Sequence, residues 1–152
     1  MLYLIPAPLH RAALRIAYRL RAAWRRRVRR PTHGVVVIAR DRHERVLLVR
    51  HSYGSGRWAL PSGGRARSEH PEACARREMR EEIGCELAEI ELVEVTERII
   101  NGAPNTSHVF AARIAGEVCP DRREVLEAQW FSLGELPDDM IPMSRRHLDA
   151  GN

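Results

Sequence analysis

An α/β sandwich is the fold class this sequence predicts, and three observations carry the prediction. Short apolar, β-branched runs bounded by turn residues are interspersed with helical patterns, the order expected of a sheet covered by helices. A paired glycine at 63 and 64 feeds one carboxylate-studded helical segment. The 152 residues, 44% of them apolar, are enough for a single core, and no internal repeat divides them.

The elements follow in chain order. Strands are predicted over residues 34–39 and 46–50, with a turn at 41–44 between them, and a Gly- and Ser-rich loop runs from 52 to 57. Residues 71–83 read as a helix, because Pro71 suits a first helical turn and Gly84 stands just past the end. Strands over 90–99 and 108–114 are separated by the turn-forming pairs Asn101-Gly102 and Pro104-Asn105. A strand at 128–132, a helical turn around 133–136 and a last helix from Ser144 complete the domain.

The helix at 71–83 carries the chemistry. With about 3.6 residues per turn, Glu78, Glu81 and Glu82 share one face, and Ala75, Met79 and Ile83 form an adjoining apolar stripe that suits packing on a sheet. Like charges so close raise one another's pKa and repel unless a cation or an arginine sits among them. Magnesium is the natural partner: it prefers oxygen ligands and is commonly held by a few carboxylates together with substrate phosphates. A solvated acidic face is the usual reading of an arbitrary Glu-rich helix. The fixed spacing of Gly63, Glu69, Arg77, Glu78, Glu81, Glu82 and Gly84 overturns it here.

Residues 63–85 resemble the Nudix box, the motif that marks the Nudix hydrolase superfamily, at every polar and glycine position. The resemblance implies an α/β/α sandwich with a mixed sheet that holds divalent metal, Mg2+ or Mn2+, and hydrolyses a nucleoside diphosphate linked to another group. It implies that Glu78, Glu81 and Glu82 are metal ligands and that Glu69 and Arg77 pair to hold the loop against the helix. Residues 58–64, Trp-Ala-Leu-Pro-Ser-Gly-Gly, are similar to the family's entry loop, and residues 127–137 to its closing strand and turn. The likeness runs from about His33 to Ile141. Ser62 stands where the family often has a glycine whose carbonyl touches metal, Ser68 replaces a frequent glycine, and Cys85 takes an aliphatic position. A carbonyl ligand at Ser62 survives its side chain, although a non-glycine residue restricts φ.

Metal can lower the pKa of a bound water and neutralise phosphate charge, and a general base is still needed. Either a box glutamate such as Glu82 or a downstream acid fills that role, with Glu124 the first downstream candidate. For substrate contacts the sequence offers Gly63, Arg50 at the end of its strand, where a guanidinium meets phosphate bidentately, and Trp58, as a stacking ring or as core. The loop holding Tyr53 is a lid or simply flexible, and His51 is the one histidine worth following among seven. No downstream marker identifies the substrate. The leading reading is a metal-dependent pyrophosphohydrolase of a nucleotide or nucleotide conjugate; the alternative is a Nudix-like nucleotide-sensing or regulatory module with little hydrolysis.

Residues 1–30 form a distinct arm ahead of the domain at 31–152. They hold nine of the 25 arginines and none of the 20 acids, so the arm carries +9 in a chain of net +5 and the remainder is −4. Leu9, Ala13, Ile16, Leu20 and Trp24 fall at helical spacing, with Arg11, Arg15, Arg19 and the run at 25–27 around them. Such a basic amphipathic helix suits packing on the domain or on a second subunit of a homodimer, then an anionic membrane surface, helped by the apolar start at 2–5, and lastly nucleic acid. It lacks the pattern of a cleaved signal peptide, and no stretch is long enough to span a bilayer. Every basic residue is Arg, a bias ascribed to genome composition. Cys74, Cys85 and Cys119 lack paired spacing, which argues against a disulfide framework or zinc site and fits a reducing cytoplasm.

Overall fold

The most apolar runs in the chain become the middle of a mixed six-stranded sheet. In the computed structural model, residues 8–10, 12–17, 20, 31–100 and 102–150 are described. The strands are β1 (Thr32–Arg40), β2 (Val46–His51), β3 (Ser62–Gly64), β4 (Glu86–Ile100), β5 (Ala103–Ala115) and β6 (Val125–Phe131). Their order is β4-β5-β1-β2-β6, with β3 paired to β1. β1 runs parallel to β5 from Thr32↔Asn105 to Arg40↔Arg113, and the other pairs are antiparallel.

Alternation along the strands divides the core in two. Leu47 and Val49 join Val35, Val37, Phe110 and the helical residues Cys74, Ala75, Met79 and Ile83 on one face. Val46 and Leu48 join Ile38, Trp58, Leu60, Val109, Met140 and Leu148 on the other. Because successive strand side chains point to opposite faces, this requires a helix on each side. α1 (Pro71–Glu78) covers the first face and α2 (Pro142–Ala150) the second, which makes the α/β/α sandwich.

β1 pairs with β2 only at Arg40↔Val46, and farther along, at residues 34–36, its partner is β3. The glycine loop is therefore part of the sheet. Its entry is fixed by Val37 N–H donating to the Pro61 carbonyl at 2.9 Å, and by Val49 and Ala59 exchanging backbone bonds at 2.8 and 2.9 Å.

Besides β3, which lies where the sequence predicts a loop, two elements differ from the sequence reading. The helix predicted to run uniformly to residue 83 is α-helical only to Glu78 and closes with a π turn, Met79–Ile83, whose end is Gly84 with its N–H bonded to the Met79 carbonyl. Single π turns inside helices are rare and cluster at functional sites. The pair Pro104-Asn105, expected in a turn, lies in β5 opposite Ile99 and Arg98. Pairing of β5 with β1 begins only at Asn105, so the N–H that Pro104 lacks costs no ladder bond on that side. Of the other predicted turn pair, Gly102 lies in a turn at φ 78° and Asn101 lies outside the described residues.

The described residues of the arm are helical, and Leu9, Ile16 and Leu20 are each more than half exposed rather than packed. Trp24, the arginines at 25–27 and the apolar start at 2–5 lie outside the described residues. No helix among the described residues is long and apolar enough to cross a membrane.

The π turn leaves carbonyls without partners in the helix, and the segment before β6 supplies donors. Cys119 N–H donates to the Ile83 carbonyl at 2.8 Å and Asp121 N–H to the Glu82 carbonyl at 2.9 Å. Gly84, at φ 69°, lets the chains approach, because a Cβ there would lie 2.8 Å from the Cys119 carbonyl oxygen. Gly84→Ala is expected to lower unfolding free energy by about 1–3 kcal/mol in urea titration.

Candidate active site

The junction just described brings the acids together. Beside α1 and its π turn lies a cleft of about 820 Å³ lined by Gly63, Gly64, Glu78, Glu81, Glu82, Asp121 and Glu124, with Arg77, Arg80 and Arg123 also on its walls. Glu78 and Glu81 come from the helix. Asp121 and Glu124 come from the loop that caps it. Asp121 holds that loop in shape: its carboxylate accepts the backbone N–H groups of Arg123, Glu124 and Val125 at 2.9 to 3.2 Å.

Arg77 organises the near side. Its Nε and Nη2 donate to the two oxygens of Glu69 at 2.8 and 3.2 Å, a bidentate pair. Nη1 donates to Glu78 at 2.9 Å and to Glu81 at 3.1 Å, and Nη2 reaches the Gly64 carbonyl at 3.4 Å. One guanidinium thus ties the glycine loop, the loop acid and two helix acids. Its hydrogen bonds hold the Glu69 carboxyl down at about 2.

Glu82 is the opposite case. It is only 7% exposed. Burial first, and then the neighbouring carboxylates Glu78, Glu124 and Asp121, push its carboxyl up to about 9. Burial also raises Glu78, and Arg77 works against that rise. Glu81 sits at the rim with its side chain 60% exposed, so the π turn separates it from the more deeply set Glu78 and Glu82. Among the described residues no three His, Cys, Asp or Glu side chains are drawn around one point as ligands of an ion. The donor set nonetheless fits a hard divalent cation: all oxygen, net negative, and partly buried, with no arginine paired to Glu82 among the described residues.

Gly63 explains how Glu78 fits. A Cβ at residue 63 would lie 2.1 Å from Glu78 Cδ, so the carboxylate lies directly against the bare backbone of the loop. Ser62 is in β3 opposite Val36, one residue from that contact.

The remaining predicted residues lie elsewhere. Trp58 is buried in the second core face, edge-on to Phe131. Arg50 lies over the Trp58 ring at 4.6 Å and pairs with Asp139 at 3.3 Å. Neither lines the acidic cleft. The sequence reading missed Asp121, whose signal was its place after Pro120 and three residues before Glu124, and it missed that His10 of the arm reaches the cleft.

Fold and site together define a hydrolase-type α/β/α sandwich with a carboxylate-lined cleft at the end of a glycine loop. The chain belongs to the NUDIX family, whose domain model matches residues 28–150. It is 32% identical over 124 residues to an NAD-capped RNA hydrolase, NudC, of Pseudomonas aeruginosa, covering 74% of this chain and 41% of that protein. Over 119 residues it is 30% identical to a Bacillus subtilis protein provisionally named an 8-oxo-dGTP diphosphatase, covering 78% of each. The crystal structure of a MutT NUDIX hydrolase from Burkholderia pseudomallei superposes with a TM-score of 0.73 at 27% identity, covering 80% of this chain and 98% of that one. The chain spans about two fifths of the length of the NudC relatives it matches.

Gly63→Ala separates site from fold. The atoms a Cβ would strike belong to the movable end of Glu78, so the backbone is expected to stay and the carboxylate to swing away. Thermal melting is expected to change little, while hydrolytic turnover falls about a hundredfold.

Proposed function

We propose that this protein is a divalent-cation-dependent pyrophosphohydrolase that cleaves the diphosphate of a nucleotide or nucleotide conjugate. The observation that carries the reading is the packing of Glu78, Glu82, Asp121 and Glu124 into one cleft, with Glu81 at its rim and Arg77 bracing Glu78 and Glu81. Glu78, Glu81 and Glu82, with the Ser62 carbonyl, are the residues to hold Mg2+ or Mn2+. A bound cation supplies charge neutralisation at the phosphate oxygens and a more acidic water. The chain's own groups do the rest. Glu124 faces the same cleft from the capping loop and is positioned to take the proton of the attacking water, with Glu82 the other candidate. Gly63 and Gly64 leave open backbone beside the acids for phosphate oxygens. Glu69 and Arg77 do not touch substrate in this scheme; they hold loop and helix in register.

The relatives named as an NAD-capped RNA hydrolase and as a nucleotide diphosphatase support a nucleotide-type substrate. The exposed Leu9, Ile16 and Leu20 among the arm's arginines support contact with an anionic membrane surface or a second subunit.

The test is product release from nucleoside triphosphates, ADP-ribose, dinucleoside polyphosphates and NAD-capped RNA, with and without Mg2+. Turnover of at least one substrate is expected to require the cation and to fall by more than about a hundredfold in Glu82→Gln. Nucleotide binding without turnover anywhere in the panel overturns the hydrolase reading and favours a nucleotide sensor.

A further inference from the structure

Among the described residues, the large apolar side chains left exposed fall into two patches. One is the arm's row of Leu9, Ile16 and Leu20. The other lies on β4 and comprises Leu92, Val93, Val95, Ile99 and Ile100, with Ile99 71% exposed. Single exposed apolar residues are ordinary, whereas grouped ones mark interaction surfaces.

The β4 patch arises because the strand outruns the helix that covers it. Cross-strand partners share a sheet face. Leu87 and Ile90, opposite Ile114 and Ala112, therefore lie on the α1 side, as do Leu92, Val95 and Ile99, opposite Phe110, His108 and Pro104. Leu87 and Ile90 pack into the core beneath α1, and from Leu92 onward the row is open. Val93 is the extra residue of a bulge, and β4 is itself an edge of the sheet.

The arm's row is exposed for another reason. His10 and Leu14, four residues apart and so on one side of the helix, are half-buried. That side meets the domain: His10 lines the acidic cleft, and Arg15 Nε donates to the Ser52 carbonyl at 2.8 Å. Leu9, Ala13, Ile16 and Leu20 form the outward row. With the arm seated in this way, β1 and β5 stand between β2 and β4, so the open row of β4 is three strand spacings, about 14 Å, from the arm's anchor. Within one chain the two patches do not meet.

Charge and length match them to each other. The arm holds nine arginines and no acid, whereas β4 holds five glutamates and one arginine. Glu86 and Glu94 are paired with Arg80 and His147, but the exposed Glu91 and Glu97 have no ion pair among the described residues. Two β4 edges side by side set five glutamates against five, and two arms set nine arginines against nine. Each patch thus repels its own kind and attracts the other. Residues 9–20 of the helix extend about 16 Å and residues 92–99 of the strand about 23 Å, so the apolar row of one fits along the other.

We infer that the arm's outward row docks on β4 of a second copy of this chain. Reciprocated about a two-fold axis, the contact closes a dimer held by two arms. The contact does not depend on the reaction in the cleft.

Sedimentation velocity of the full-length chain over a concentration series tests this. The wild-type chain is expected to form dimers that weaken as NaCl is raised. Ile16→Glu places an acid in the arm's row and Val95→Arg a base in the β4 row, so each is expected to raise the dissociation constant by more than about tenfold. Both positions are exposed, so neither change enters the core. Mixing the two variants is the decisive step, because one brings an intact β4 and the other an intact arm. The mixture is expected to recover dimers that neither variant forms alone.

A wild-type chain that stays monomeric throughout overturns the inference. So does loss of association in only one variant: in Val95→Arg alone it marks pairing of two β4 edges, and in Ile16→Glu alone a contact between two arms. A monomer whose binding to phosphatidylglycerol vesicles is abolished by Ile16→Glu assigns the arm's row to lipid instead.

Discussion

Burying Glu82 beside Glu78, Glu124 and Asp121 is the costly act around which the molecule is arranged. A carboxylate removed from water without a cation costs several kcal/mol, and its acidic neighbours add to that. The group is held there because its own helix is pinned from the other side. Met79 and Ile83, which bracket it in the π turn, are fully buried in the sheet core, and each such side chain contributes about 1.5–3 kcal/mol by burial. Packing on one face of a turn thus forces charge together on the other.

Two smaller devices convert that pressure into a defined geometry. Arg77 spreads one positive charge over Glu69, Glu78 and Glu81, so the near carboxylates are fixed in direction as well as tolerated. At the far side, the carbonyls freed by the π turn are met by the N–H groups of Cys119 and Asp121, which sets Asp121 and then Glu124 opposite the helix. The glycines serve the same purpose. Gly63 makes room for a carboxylate and Gly84 for a backbone. Stability and function are therefore entangled at the helix terminus: the bonds that close the helix are the bonds that assemble the second half of the cleft.

Much of this was legible in the residues. The apolar run at 46–49 marked a strand and the interspersed helical patterns the sandwich, Pro71 and Gly84 marked the helix limits, and the spacing from Gly63 to Glu82 singled out the acids. Glu124 was picked out by its place ahead of the last strand, and the structure brings it into the same cleft. What escaped was long-range or conformational. Local spacing treats residues 71–83 as one uniform helix, and nothing in it reveals that the final turn widens and leaves Glu81 at the rim. Asp121 is about forty residues from the helix it caps, so only tertiary pairing discloses it. Arg50 and Trp58 were attractive as substrate contacts because of their residue types. Asp139, which pairs with Arg50 from 89 positions away, and Phe131, which packs on Trp58, become their neighbours only in the folded chain.

The central claim is that this carboxylate cluster is a cation site and that Glu82 is indispensable to it. Manganese electron paramagnetic resonance reads this directly, because the six-line signal of the free ion is lost on binding. Titrating the full-length chain into Mn2+ at neutral pH is expected to quench that signal, with Glu82→Gln leaving it largely intact. A free-ion signal untouched by the wild-type chain, or quenched equally by the variant, would contradict it.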